Sequence, residues 1–204
     1  ERRIISDPPL IEPIGELVAP EQAEAVQGAI AEMLRRYRAE LHPDRRATLE
    51  QFRLIEIARK VVGVGSVGTR AWIGLLLGRD DDDPLFLQFK EAEASVLEAF
   101  AGASEAPTHG DRVVAGQRLM QAGSDIFLGA TQVEVPGEGI TRDYYVRQLK
   151  DWKGSFETEG ARPEGLALYG RICGWTLARA HARSGDRIAI AAYLGGGDAF
   201  ECVE

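Results

Sequence analysis

Apolar side chains recur at helical spacing in two long stretches of the chain and cluster in short runs between them. From Pro20 to Leu41, residues Val26, Ile30, Met33, Leu34, Tyr37 and Leu41 share one side of a 3.6-residue repeat, which predicts an amphipathic helix. Pro20 suits its first turn, where the N–H that proline lacks would have no helical partner anyway. His42-Pro43-Asp44 ends that helix, and a second, short one is predicted through Leu49 and Phe52. Ser6 to Pro13 is read as an extended lead-in, because each proline disfavours helix in the residue before it. From Ile55 the texture changes. Ile55, Ile57, Val61, Val62 and Val64 run into glycines, Ala71 to Leu77 is apolar, and Gly78 and four aspartates follow. Leu85 to Phe89 is then short, apolar and strand-like.

Val113, Val114, Leu119 and Met120 restore a helical pattern between Gly110 and Gln121. Ile126 to Val135 and Asp143 to Leu149 read as strands joined across Pro136-Gly137-Glu138-Gly139, a strong turn signal. Glu164 to Ser184 is the second long helix, with Leu168, Ile172, Trp175, Leu177 and Ala178 on its apolar side. No internal repeat is visible. Helices, three strands, a helix, two strands and a helix predict an α+β fold rather than a doubly wound α/β one. The expected divisions are an N-terminal helical segment (1–53), a sheet-bearing lobe (54–150) and a C-terminal helical segment (151–204).

Composition narrows the function classes. Lys and Arg number 24 against 32 Asp and Glu, a net charge of −8. That disfavours nucleic acid or an anionic membrane as partner, since both are held chiefly by basic surfaces. The longest apolar run, Ala71 to Gly78, falls far short of the ~20 residues of a membrane helix. Cys173 and Cys202 are too few for a disulfide framework or a metal cluster, and free thiols in the cytoplasm are expected. The chain opens Glu1-Arg2-Arg3 without Met or an apolar leader, so it reads as an excerpt of a longer polypeptide without a signal peptide.

Gly63-Val64-Gly65-Ser66-Val67-Gly68 carries the most chemistry. Glycines at G-x-G-x-x-G spacing let backbone approach a phosphate closely, although alone the motif is weak and also fits an unliganded hairpin. In a dinucleotide-binding unit a helix begins near Ser66, and Glu91 closes a second parallel strand to bind a ribose hydroxyl. In a kinase-like unit the glycines instead turn between antiparallel strands, and the next strand brings Lys90 to the nucleotide phosphates. Thr69 to Leu77 is only nine residues long, with Gly74 at its middle. It suits a strand better than a helix, which favours the second arrangement. The Asp80 to Asp83 run attracts attention as a Mg²⁺ site, but free-swinging carboxylates in a turn seldom form a rigid octahedron.

The wording of ARKVVGVGSVGTR (58–70), DDPLFLQFKEA (82–92), GQRLMQAGSDIFLG (116–129), YYVRQLKDWKGS (144–155) and GWTLARAHARSGD (174–186) resembles the bacterial domain of unknown function 2252 family, over the C-terminal half of its members. The family is similar at a distance to protein-kinase-like phosphotransferases. The resemblance implies ATP and Mg²⁺ as cofactors and a small molecule or protein as phosphoryl acceptor. It makes Gly63, Gly65, Ser66 and Gly68 the nucleotide-covering loop and Lys90 the phosphate-pairing lysine. Tyr144 to Leu149 becomes the strand leading to the adenine-bordering hinge. An acidic partner for Lys90 is not evident among Glu98, Asp111 and the uncharged Gln117. No Gly-Asp-x-His-x-x-Asn segment occurs, so the resemblance puts the catalytic loop outside these residues.

His181 to Asp186 with Asp198 only faintly echoes that loop. His181 is expected as a partly buried helix histidine and Asp186 as a turn residue. His42 and His109 read as isolated loop residues, and Trp152-Lys153 as a packed tryptophan beside a surface lysine. The expected function is the nucleotide-binding part of an ATP-dependent phosphotransferase. A dinucleotide-binding oxidoreductase domain and a non-catalytic structural or regulatory domain are the alternatives.

Overall fold

A computed structural model describes residues 2–61, 68–135, 139–149, 154 and 156–196. Six strands, β1 (Ile11–Pro13), β2 (Arg53–Lys60), β3 (Ala71–Leu77), β4 (Pro84–Ala92), β5 (Gly129–Glu134) and β6 (Thr141–Gln148), form one open sheet in the order β1-β2-β3-β4-β6-β5. Every pairing is antiparallel. The helices are α1 (Ile14–Leu17), α2 (Pro20–Glu40), α3 (Pro43–Leu49), α4 (Glu98–Ala101), α5 (His109–Met120), α6 (Pro163–Ser184) and α7 (Arg187–Leu194). The fold is α+β, as the element order predicts. The parallel sheet of the dinucleotide alternative is absent among the described residues: the stretch after the glycine segment is β3, running antiparallel to β2. Gly74 sits where the sheet packs tightly: a Cβ on it would stand 3.1 Å from Leu54 and 3.2 Å from Phe89.

Directly paired residues of neighbouring strands share a face, so the register sorts every side chain. Leu85, Leu87, Phe89 and Glu91 of β4 share a face with Ile57, Trp72, Leu76, Tyr144 and Val146. Against that face α2 lays Ile30, Met33, Leu34 and Tyr37, its C-cap Leu41 adds to them, and together these form the main core. The helical periodicity of α2 thus has its cause in burial, each such side chain contributing about 1.5–3 kcal/mol. Tyr37, fully buried, donates its hydroxyl proton to the Phe127 carbonyl and ties α2 to the lead-in of β5.

The opposite face carries Phe86, Gln88 and Lys90. Ile4 of the N-terminal segment packs there with Ala58, Ile73, Leu75 and Leu77, and its amide donates to the Glu56 carboxylate at 2.5 Å. Val114 of α5 packs there too, against Leu128, Ala130 and Tyr145.

The chain divides into two compact units. Residues 1–115 and 125–150 form the first, with the sheet, α2 and the start of α5; residues 116–124 and 151–204 form the second. Inside the second, α6 and α7 carry little buried surface, Ala180 being the buried residue of α6. Trp175 is 62% exposed, and His181 is exposed rather than half-buried. Asp186 is the N-cap of α7, not merely a turn residue: its Oδ1 accepts from the amides of Ile188 and Ala189.

Candidate functional site

Lys90 lies near the end of β4, an interior strand flanked by β3 and β6. It pairs directly with Ala71 on one side and Tyr145 on the other, and it is half-buried. Ala71 is the first residue of β3, so Lys90 stands across from the strand that leaves the glycine segment. Gly63, Gly65 and Ser66 lie outside the described residues. Gly68 lies within them, with φ +88° and open space where a Cβ would sit, a backbone conformation that other residues rarely adopt. The connection from Lys60 to Ala71 therefore joins two antiparallel neighbours, the first requirement of the hairpin reading.

The chain's own residues bound this face. Tyr145 borders Lys90 on β6 and also packs on Val114 of α5, and burial pushes its phenol above the ordinary range. The next paired row holds Ile73, Gln88 and Arg147, and the buried Gln88 accepts two 3.3 Å hydrogen bonds from Arg147. Ile73 also belongs to the cluster that holds Ile4.

Sequence reasoning missed an ionic cluster on the other face, one residue along from Lys90. Glu91, its side chain only 3% exposed, receives the Arg70 amide at 3.0 Å and Arg70 Nη1 at 3.4 Å on one oxygen. Its other oxygen receives Arg142 Nη1 at 2.8 Å. Burial opposes ionisation of this carboxyl, but the Arg70 amide and the two guanidiniums outweigh it and hold the group below its ordinary range. Glu91, considered from sequence as a ribose ligand, is instead the brace that fixes the exit of the glycine segment to β4 and β6.

The three candidate partners of Lys90 are all found on or beside the helices that follow β4. Glu98 caps the turn at Ser95, accepting its amide at 3.1 Å. Asp111 accepts the Thr108 hydroxyl at 2.7 Å at the start of α5. Gln117 lies on the part of α5 that belongs to the second unit. His109 is not a loop residue but opens α5, and its amide donates to Asp143. His42 precedes α3 with Nδ1 2.5 Å from Asp44.

The aspartate run forms a tight exposed turn, in which Asp80 accepts the Asp82 amide and Asp83 the Arg79 amide, while Arg2 reaches Asp82 at 2.7 Å. Among the described residues no three His, Cys, Asp or Glu side chains gather as a metal-ligand set. Cys173 is a free thiol; Cys202, Trp152 and Lys153 lie outside the described residues. No helix among the described residues is long and apolar enough to cross a membrane.

A family model for uncharacterised proteins conserved in bacteria (DUF2252) matches residues 1–203. The chain belongs to this family. The match spans nearly the whole chain, beyond the five segments in which the likeness is readable by eye. Neither curated proteins nor solved structures give any match. The antiparallel sheet, its lysine and its buried ionic brace therefore stand on the geometry of this DUF2252 chain itself.

Proposed function

We propose that this chain is the nucleotide-binding part of a kinase-like phosphotransferase, with ATP's polyphosphate held between the 63–68 segment and Lys90. One observation carries the reading: a glycine-rich connection joins the first two strands of an antiparallel meander, and the third strand holds a half-buried lysine level with its exit. In protein kinases a glycine-rich loop covers the phosphates and a lysine of the third strand pairs with them. The first helix of more than one turn after the lysine strand, α5, packs on the same face as Lys90, in keeping with that plan.

The role of Lys90 is electrostatic. Its ammonium neutralises phosphate oxygens at a half-dry position, where the attraction is screened less than in bulk water. Glu91 keeps its own charge out of that balance, because it faces the opposite side and is spent on Arg70 and Arg142. Bound ATP would supply the transferable phosphoryl group. Mg²⁺ has no ligand set among the described residues, and no Gly-Asp-x-His-x-x-Asn segment is present, so no step of transfer is assigned to these side chains.

Thermal unfolding of the chain with ATP, ATP plus Mg²⁺, NAD and no ligand tests the reading. Saturation at a hundredfold excess over Kd stabilises by about 2.7 kcal/mol. ATP is expected to raise Tm in the wild type and to leave Lys90→Met unmoved, while NAD moves neither. No ATP effect would favour a non-catalytic structural role, and an equal effect in Lys90→Met would remove this lysine from the site.

A further inference from the structure

On the face away from Lys90, α2 and the sheet do not close completely. A cleft of about 230 Å³ remains between Val26, Ile30 and Met33 of α2 and Trp72, Val133 and Val135 of the sheet side, with Ala29 on its wall. That is room for several waters, or for a ligand on the order of ten heavy atoms. Water is a poor occupant, because almost all the lining is aliphatic or aromatic and offers it few partners.

Tyr144 and Arg70 complete the lining, and apart from the Trp72 indole they bring the polar side-chain groups to it. Tyr144 is buried, and burial raises its phenol above the ordinary range, so it stays neutral. Arg70 is the one charged residue of the lining. Its side chain is 44% exposed, and Glu91 engages it only through Nη1 at 3.4 Å, leaving most of its five N–H donors to other acceptors. Glu91 cannot neutralise it fully, because that single buried carboxylate is shared with Arg142 at a shorter 2.8 Å. The acidic side chain nearest along α2, Glu32, lines a neighbouring recess and is held by Arg35 and Arg36, which draw it down to about 2. An apolar slot thus has one charged residue in its lining, an arginine that Glu91 engages only in part.

We infer that this cleft is a binding site for a small monocarboxylate with an apolar body, its tail between α2 and β5 and its carboxylate on Arg70. The size, the aliphatic walls and the lone under-used guanidinium each require one part of that ligand. The inference is independent of ATP binding, which belongs to the other face of the sheet.

Isothermal titration of the 204-residue chain with octanoate and with 1-octanol is the test. Octanoate is expected to bind saturably at one site, at least about tenfold more tightly than octanol, because a charge-assisted, forked contact is lost in the alcohol. Ala29→Phe, which fills the slot, is expected to abolish that binding. Arg70→Gln is expected to bring octanoate down to the octanol level. Should Arg70→Gln fail to fold for want of the Glu91 brace, the acid-to-alcohol ratio and Ala29→Phe decide. Equal affinity for acid and alcohol, no saturable octanoate binding, or binding retained in Ala29→Phe (uptake by the exposed helices of the second unit) would each overturn the inference.

Discussion

Glu91 and Lys90 are chain neighbours with opposite tasks, and the alternation of the strand makes that possible. The lysine points to a half-open face, whereas the carboxylate is sealed between two arginines on the other. Replacing Glu91 with Gln leaves Arg70 and Arg142 without their shared anion and is expected to cost about 2 kcal/mol, the scale of a hydrogen bond to a charged group. Urea unfolding followed by circular dichroism measures it. The sign of its pH dependence follows from the depressed value. The unfolded chain binds a proton to Glu91 at higher pH than the folded chain does, so its stabilisation is complete above 4.5 and is lost as pH falls below that value. Wild type and Glu91→Gln are therefore expected to converge in stability as the pH is lowered through the acid range. Glu40 behaves oppositely: burial, then the charge of Asp111, raise it, so its contribution falls as pH rises past 4.5. The place of Lys90 near the end of a strand was legible from the chain, because the apolar run of β4 leads directly into it. The role of Glu91 was not, because its partners stand 21 and 51 residues away in sequence.

Among the elements, those that burial imposes periodically were readable and those set by distant partners were not. The apolar stripe of α2 declares itself at a period of 3.6, and β3 and β4 as short apolar runs buried on both faces. Strand β1 has three residues, and only its pairing with Ala58 to Lys60 makes it a strand. Strand β5 begins later than its apolar run, because Asp125 captures the amides of Phe127 and Gln148 and bends the backbone there. Helix α7 did leave a signal, the Asp186 cap before an Ile-Ala-Ile-Ala-Ala run and Gly195 after it, which the apolar spacing alone did not expose. Close docking of α2 on β5 rests on Gly129, where a Cβ would stand 2.8 Å from the ring of Tyr37. Tyr37 is fully buried and cannot swing aside, so Gly129→Ala is expected to destabilise by about 1–3 kcal/mol through overpacking. The drop should appear as a lowered urea midpoint with the slope unchanged.

At the scale of the whole molecule, the two units differ in how much they bury. The first holds the main core and five antiparallel ladders, whereas α6 leaves Leu168, Ile172 and Trp175 more than half exposed. Few buried apolar contacts mean low local stability, so amides of α6 are expected to exchange hydrogen markedly faster than those of β3, β4 and β6. Hydrogen-exchange mass spectrometry reads this directly; equal protection in α6 and β4 would show that the second unit is held by more than its own contacts. The central claim concerns the first unit alone, that the Lys90 face of its sheet receives a polyphosphate. Amide chemical-shift mapping during an ATP titration tests it most directly. Saturable shifts centred on Ala71, Lys90 and Tyr145 are expected, and they disappear in Lys90→Met; shifts confined to other parts of the chain, or none at saturating ATP, would remove the polyphosphate from this face.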